Sequence, residues 1–321
     1  MTAAELRDRF TQIHAEVSRV LVGQDDLVSQ TLIAVLARGH VLVEGAPGLG
    51  KTLLVRALGQ VLGCMFKRIQ FTPDLMPSDV TGGNVFNQKL DAFEFVPGPV
   101  FTQLLLADEI NRAPAKTQSA LLEAMQEQTV SVDGTTRPLP RPFFVIATQN
   151  PLESQGTYPL PEAQLDRFLF KLFVHHPSQD VERAILSNYR AGFDAVALDR
   201  AGLRRLADPA SLLAMADAAS SISVADALLD YITEIVGRTR SHRFLTYGAS
   251  PRASIALFNV ARIRAAVNGR DFVVPDDVKL LAPAVLRHRL GLHPDAEIEG
   301  VTADDCVADV LRETAVPKGL V

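Results

Sequence analysis

A glycine-rich stretch of this sequence has the residue types and the spacing that bind phosphate. It fits the pattern G-x-x-x-x-G-K-[ST] without a mismatch over Gly45, Ala46, Pro47, Gly48, Leu49, Gly50, Lys51 and Thr52. Glycines let backbone N–H groups turn toward phosphate oxygens, and the N-terminus of a following helix adds a positive dipole end. We expect Lys51 to reach the β- and γ-phosphates, Thr52 to bind Mg²⁺ through its hydroxyl, and the nucleotide contacts to extend to Leu53.

The residues on either side of this loop favour the same interpretation. Residues 40–44 form a short apolar run that predicts a strand, and residues 53–59 have the apolar spacing of a helix. A strand, a glycine loop and a helix in this order form the context in which the pattern binds nucleotide phosphates. The alternative is a glycine turn that joins a strand to a helix and binds nothing.

A second apolar run ends in two acidic residues, Asp108 and Glu109. Residues 104–107 predict a buried parallel strand, and ligands bind at the carboxyl ends of such strands in open α/β sheets. We expect Asp108 to orient Mg²⁺ and Glu109 to polarise the attacking water. The alternative is a solvated acidic turn, which the phosphate loop upstream disfavours.

Two more polar residues stand next to predicted strands. Residues 143–148 are the most strand-like run of the chain, and Asn150 follows them. Its side chain could hold the attacking water near the γ-phosphate, or it could only satisfy the turn that leads into Pro151. Arg167 precedes a further predicted strand and could stabilise charge in a phosphoryl-transfer transition state, although a lone arginine is more often part of a surface ion pair.

Two other candidates depend on the predicted helices around them. Ser250 and Pro251 predict a helix N-cap and first position, which places Arg252 at the positive end of the helix. A cation is unfavourable there unless an anion binds beside it, so Arg252 is a candidate phosphate sensor. A turn before the second predicted helix could border an adenine ring or be an ordinary turn; it consists of Val22, Gly23 and Gln24.

Length and composition favour a folded protein of two domains. The 321 residues are 47% hydrophobic and 21% charged, and the net charge of −5 argues against broad binding to nucleic acid, so we expect no nucleic-acid partner. Cys64 and Cys306 lack the C-x-x-C spacing of a zinc site and suggest no disulfide framework. No apolar run is as long as a membrane span, which needs about 18 residues, and residues 1–10 lack the apolar core of a signal peptide. We therefore expect a cytoplasmic protein without a membrane span.

The pattern of the chain changes near residue 177. Two hairpins are predicted before it, over residues 82–96 and 129–137, and the phenylalanines of the first hairpin could contact a partner or pack against the domain. After it the periodicity is helical, and Ser223 with Asp226 resembles a helix-capping pair. The helices predicted there cover residues 180–191, 208–220, 224–239, 251–267 and 275–290.

Taken together, these stretches resemble the MoxR family of AAA+ ATPases. The resemblance lies in residues 39–52, 107–114, 147–151, 162–168 and 248–252, and it extends over essentially the whole chain. It implies a three-layer α/β P-loop NTPase domain with a parallel sheet over residues 1–177, followed by an all-α helical lid domain over residues 178–321. The two hairpins look like the insertions that mark this branch of the superfamily.

The resemblance also implies a role for each candidate residue. Lys51 and Thr52 would belong to Walker A, Asp108 and Glu109 to Walker B, Asn150 would be sensor 1, Arg167 the arginine finger given to a neighbouring subunit, and Arg252 sensor 2. Proteins of this family are Mg²⁺-dependent ATPases that form rings, here expected to be a hexamer. They are thought to remodel or mature protein partners in a chaperone-like way, often beside a protein with a von Willebrand factor A domain.

Three alternative functions stay open at this point. The chain could be the ATPase subunit of a metal chelatase, which shares the two insertions. It could be a motor that acts on DNA, although the acidic net charge weighs against this. It could also be a scaffold that binds ATP without useful turnover, although an intact Glu109 argues against such a role.

Overall fold

The structure of the protein, a computed structural model, describes residues 1–150 and 156–317. Pro151, the last residue of one resembling stretch, lies outside the described residues. The strands, in chain order, are β1 (Val41–Gly45), β2 (Phe66–Gln70), β3 (Gly82–Asn87), β4 (Ala92–Pro97), β5 (Leu104–Asp108), β6 (Thr129–Val132), β7 (Thr135–Pro138), β8 (Phe144–Gln149), β9 (Phe170–Val174), β10 (Leu245–Tyr247) and β11 (Gly291–Leu292). The helices are α1 (Ala3–Ser18), α2 (Asp25–Leu36), α3 (Lys51–Leu62), α4 (Pro77–Thr81), α5 (Ala115–Glu127), α6 (Glu162–Leu165), α7 (Gln179–Arg190), α8 (Pro209–Ala219), α9 (Asp226–Thr239), α10 (Pro251–Val267), α11 (Pro275–Leu286), α12 (Pro294–Ile298) and α13 (Ala303–Glu313).

A parallel five-stranded sheet forms the centre of the N-terminal part. Its strand order is β2-β5-β8-β1-β9, and Val41 of β1 stands opposite Ile146 of β8 and Phe170 of β9. Both faces of the sheet are covered by apolar clusters, which is why the three central strands β5, β8 and β1 read as apolar runs instead of alternating ones. The expected three-layer α/β fold with a helical lid is confirmed.

Both predicted hairpins are present and contact each other. β3 pairs with β4, and β6 pairs with β7, each in antiparallel register. Asn84 donates a hydrogen bond to the Asp133 carboxylate at 2.6 Å, and the Arg137 guanidinium lies 3.8 Å from the centre of the Phe95 ring. The two hairpins therefore form one continuous surface, which we call the hairpin face.

The helices predicted after residue 177 correspond to α7 to α11. The Ser223–Asp226 capping pair was wrong: Ala225 is the N-cap of α9, and the Ser223 N–H instead donates to the Asp271 carbonyl at 2.9 Å. The sequence patterns also missed α12, α13 and a small antiparallel ladder between β10 and β11. The helical part thus carries a short two-stranded addition to the expected all-α lid.

The helical part contacts the sheet at β9 and at the residues just before it. Arg289, which follows α11, donates to the Asp166 carboxylate at 2.7 Å and to the Phe168 carbonyl at 2.7 Å. Helix α1, at the start of the chain, packs against α10, so the N-terminal and C-terminal parts share one apolar core. The division at residue 177 remains a prediction. Among the described residues, no helix is both long enough and apolar enough to cross a membrane.

We expect stability to fall with acidification because of His40, which is buried between β8 and α5. Its Nδ1 accepts the Val145 N–H at 3.1 Å, its Nε2 lies 3.2 Å from the Met125 carbonyl, and burial lowers its pKa to about 4. Between about pH 4 and pH 6.5, the histidine of the unfolded chain, with a pKa near 6.5, binds a proton, whereas His40 in the folded protein stays neutral. The contribution of neutral His40 to the free energy of unfolding is therefore complete above about pH 6.5. It declines toward pH 4, by up to about 1.4 kcal/mol per pH unit.

Urea unfolding at pH 7, 6 and 5 would measure this effect. His40→Asn should flatten the loss of stability with acidification, whereas His176→Gln, at an exposed position, should leave the profile unchanged. If the His40→Asn protein loses as much stability between pH 7 and 5 as the wild-type protein does, the assignment to His40 is wrong.

Candidate active site

The phosphate loop joins β1 to α3 through a backbone that only glycine adopts easily. Gly48 and Gly50 both have φ of +82°, in the left-handed region that other residues avoid. A Cβ on Gly45, the last residue of β1, would lie 2.7 Å from the Val174 carbonyl oxygen of the neighbouring strand, so a larger residue cannot fit. Nothing lies within 4 Å of the Cβ position at Gly48, which leaves open space beside the loop.

Lys51, the first residue of α3, directs its amine over this loop. The Nζ atom donates a hydrogen bond to the Gly45 carbonyl at 2.7 Å. Burial lowers the pKa of Lys51, while the carboxylates of Asp108 and Glu109 act in the opposite direction. The amine therefore lies between the loop and the two acids, where it can exchange its carbonyl partner for a phosphate oxygen.

The two acids at the end of β5 are held by a threonine of the neighbouring strand. The buried Thr148 hydroxyl donates to Asp108 Oδ1 at 2.6 Å and accepts the Glu109 N–H at 2.9 Å. Glu109 has φ of 56°, an uncommon conformation for a residue with a long side chain, and such backbone outliers cluster at functional sites. Thr148 thus fixes both acids, a positioning role that the sequence patterns did not reveal.

Two residues of β2, which the sequence patterns also missed, contact the same acids. The Arg68 Nη2 donates to Asp108 Oδ2 at 2.6 Å, and the Gln70 Nε2 donates to Glu109 Oε2 at 2.7 Å. They are two positions apart on a strand, so both side chains point to the same face of the sheet. That alternation was visible in the sequence, but it became informative only once β2 was found beside β5.

One cavity of about 460 Å³ brings most of the candidate residues together. Its lining residues are Pro47, Gly48, Gly50, Lys51, Thr52, Leu53, Arg56, Arg68, Gln70, Asp108, Glu109, Asn150, Ala195 and Val196. The hydroxyl of Thr52 and the carboxylate of Asp108 supply oxygen ligands of the kind that Mg²⁺ prefers. Open glycine backbone, a lysine amine and two acids in one cavity fit a nucleotide phosphate chain with its metal ion.

Arg167 and Arg252 lie elsewhere, at the opposite edge of the sheet. Arg167 precedes β9 and donates to the Leu122 carbonyl at 2.9 Å. Arg252, in the first turn of α10, has a guanidinium nitrogen 3.8 Å from the Asp166 carboxylate. All strands of the sheet are parallel, so the length of a five-residue strand, roughly 15 Å, separates this edge from the phosphate loop. Neither arginine lines the cavity.

The predicted adenine turn lies beside the phosphate loop but does not line the cavity. Leu21, just before it, is 3.5 Å from the position of a Cβ on Gly50. Gly23 has φ of +72°, and a Cβ there would meet the Val181 side chain of α7 at 2.6 Å. The turn therefore packs against α7 next to the phosphate loop, and its contact with adenine remains a prediction.

Comparisons with known proteins agree with this geometry. Residues 40–170 match the family model described as "ATPase family associated with various cellular activities (AAA)", and residues 237–310 match the AAA lid domain. The chain is 48% identical to the uncharacterized protein YeaC of Bacillus subtilis, over 94% of this chain and 92% of that protein. It is 47% identical to Chaperone MoxR1 of Mycobacterium tuberculosis, over 94% and 81%. A crystal structure of a proposed ATPase from Cytophaga hutchinsonii superposes with a TM-score of 0.90 at 39% identity, covering 98% of this chain and 97% of that one.

The geometry predicts that a substitution at Lys51 impairs nucleotide binding, whereas a substitution at Glu109 impairs hydrolysis. Lys51→Ala should abolish nucleotide binding because the amine is the point charge that meets the phosphates. Glu109→Gln should bind nucleotide but not hydrolyse it, because an amide cannot polarise water as a carboxylate does. Fluorescent-nucleotide titration and phosphate release measure the two properties, with the exposed Lys67→Ala as the control. Equal ATP affinity of Lys51→Ala and wild type would contradict the phosphate-loop assignment.

Proposed function

This chain belongs to the MoxR family of AAA+ ATPases, and we propose that it couples Mg²⁺-dependent ATP hydrolysis, as a ring of subunits, to the chaperone-like remodelling of protein partners. The observation that carries the proposal is the cavity in which Lys51, Thr52, Asp108, Glu109 and Asn150 meet. ATP and Mg²⁺ are the ligands that we assign to it. A hexamer is the ring that the family resemblance implies.

The positions of five residues in the cavity support a specific role for each of them in ATP hydrolysis. Lys51 would hold the β- and γ-phosphates, and Glu109 would orient a water for in-line attack on the γ-phosphorus. Asn150 is buried at the end of β8, from where its amide would position the same water. Bound Mg²⁺ would neutralise charge on the phosphate oxygens, with Thr52 and Asp108 as the residues that hold it.

The ring is supported by the two arginines at the far edge of the sheet. Arg252 lies beside the Asp166 carboxylate, which also accepts the Arg289 Nε–H at 2.7 Å, and Arg167 follows Asp166 in the chain. A side chain at this edge cannot reach its own phosphate loop across the strand length. We propose that Arg167 and Arg252 act together on the nucleotide of the next subunit, as arginine finger and as phosphate sensor.

The remodelling activity is supported by the hairpin face and by the printed name of one relative, which is called a chaperone. The β3–β4 hairpin exposes Val85, Phe86, Leu90, Phe93 and Val96, and the Phe93 side chain is 72% exposed. The rings of Phe86 and Phe93 contact each other edge to face, with centres 5.3 Å apart. An exposed apolar surface of this kind fits unfolded polypeptide, so we propose it as the client contact.

The remaining expectations follow from the same proposal. We place the protein in the cytoplasm, which the two free, buried cysteines Cys64 and Cys306 support. A von Willebrand factor A domain protein is the partner that the family resemblance suggests. A chelatase subunit would be stimulated by a porphyrin–metal substrate. A DNA motor would bind duplex DNA with an affinity that falls with salt, and a scaffold would bind ATP without turnover.

Mixing two inactive variants tests the shared site. Arg167→Ala should lose on the order of 10³-fold in rate, and Glu109→Gln should be equally inactive. In mixed rings, some interfaces pair the intact Glu109 of one subunit with the intact Arg167 of the other, so activity should partly return. An Arg167 that acts within its own subunit would leave no complete site in any mixture.

Subunit exchange must be shown in the same samples, by fluorescence transfer between labelled subunits. Mixtures of Arg167→Ala with Lys51→Ala serve as a second pair, because the same interfaces would again be complete. With exchange demonstrated, absence of activity at every mixing ratio in both pairs would contradict the proposal that Arg167 acts on the neighbouring subunit.

The hairpin face is tested by its affinity for a permanently unfolded polypeptide, reduced and carboxymethylated α-lactalbumin. Phe93→Ser should weaken binding in the presence of ATP, as measured by fluorescence anisotropy with the labelled polypeptide. Ile298→Ser removes an even more exposed apolar side chain at the end of α12 and should bind like the wild type. Equal affinities of the Phe93→Ser and wild-type proteins would remove the hairpin from the client site.

A further inference from the structure

Arg68 forms the closest ion pair of the proposed metal carboxylate in this structure. Its Nη2 and Nε atoms lie 2.6 Å and 3.2 Å from the same oxygen, Oδ2 of Asp108. The other oxygen, Oδ1, accepts the Thr148 hydroxyl at 2.6 Å. Both oxygens of Asp108 therefore already have strong donors, and a cation that binds there must share or displace one of them.

We propose that Arg68 is a resident counter-ion which competes with the divalent cation for Asp108 and so sets the metal concentration at which the site fills. This inference rests on the proposed function, because it takes Asp108 as the residue that holds Mg²⁺. It assigns to β2 a role in metal affinity that the phosphate loop and the two acids do not supply.

Burial explains why such a counter-ion is needed. The Asp108 side chain is only 14% exposed, and a carboxylate removed from water is costly unless a partner compensates its charge. The Arg68 side chain is 47% exposed, so its guanidinium regains contact with water when it leaves the carboxylate. Because Asp108 is mostly buried and Arg68 is half-exposed, Arg68 is the member of the pair that can be exchanged for another cation.

The guanidinium is also oriented by a second contact. Its Nη2 donates to the Gln70 Oε1 at 2.8 Å, while the Gln70 Nε2 donates to Glu109 at 2.7 Å. Asp108, Arg68, Gln70 and Glu109 thus form one hydrogen-bonded chain along the rim of the cavity. Because Gln70 fixes the guanidinium on the Asp108 side, the pair belongs to a built arrangement and not to a random surface contact.

Thr148 cannot play the same exchangeable part. Its hydroxyl is fully buried and also accepts the Glu109 N–H, so displacing it would release both acids at once. A divalent cation repels a neighbouring guanidinium, whereas it leaves a neutral hydroxyl in place. Of the two donors on Asp108, Arg68 is therefore the one that a metal ion displaces.

The test measures metal binding and does not depend on turnover. Mn²⁺ serves as the probe, and the bound fraction is read by electron paramagnetic resonance with ADP present. Arg68→Gln should bind Mn²⁺ roughly threefold to fivefold more tightly than the wild type, the size expected for removing one partly exposed competing ion pair. Arg68→Lys, which keeps the charge but not the two-atom contact, should fall between the two.

Two further variants separate this inference from the proposed function. Lys67→Gln removes a neighbouring exposed cation of β2 that does not contact Asp108, and its Mn²⁺ affinity should equal that of the wild type. Asp108→Asn should weaken Mn²⁺ binding if the proposed metal site is right. Unchanged binding by Asp108→Asn would overturn the metal site itself. Weakened binding by Asp108→Asn together with unchanged or weaker binding by Arg68→Gln would overturn the role of Arg68 alone.

Discussion

All strands of the central sheet run in the same direction, so each delivers its last residue to one edge and receives its first residue at the other. β1 lies between β8 and β9, with Val41 opposite Ile146 and Phe170. A slip of one residue would turn every side chain to the other face, so this register decides which residues meet. It places the phosphate loop, Asp108 and Glu109 at one edge and Arg167 at the other.

The edge that gathers these residues has to stabilise several charges before a ligand arrives. Two carboxylates and a lysine meet in one cavity. Donors from the neighbouring strands form hydrogen bonds with the carboxylates: Arg68 and Gln70 on β2, and the Thr148 hydroxyl on β8. These contacts hold Asp108 and Glu109 in fixed positions. Before a metal ion binds, the site is therefore held by residues that need not touch the reacting phosphorus, and its electrostatics depend on them.

Local signals predicted much of this arrangement, and non-local pairing explains what they missed. Glycine spacing and acids at strand ends are readable in short stretches, which is why these patterns predicted that the loop would meet Asp108 and Glu109 in one cavity. Arg68 became meaningful only through the pairing of β2 with β5, and the β10–β11 ladder likewise joins segments far apart in the chain. Helix α13 was different: Thr302 and Asp305 form a capping box three residues apart, a local signal that apolar periodicity did not include.

We propose that each nucleotide site is completed by the arginines of the next subunit. A cryo-electron microscopy structure of the Glu109→Gln protein with Mg²⁺ and ATP measures this directly. We predict a ring in which Arg167 and Arg252 of one subunit lie within hydrogen-bonding distance of the γ-phosphate bound at Lys51 of the next. ATP bound at Lys51 while Arg167 stays at the Leu122 carbonyl and Arg252 stays beside Asp166, with no neighbouring subunit near the γ-phosphate, would contradict this proposal.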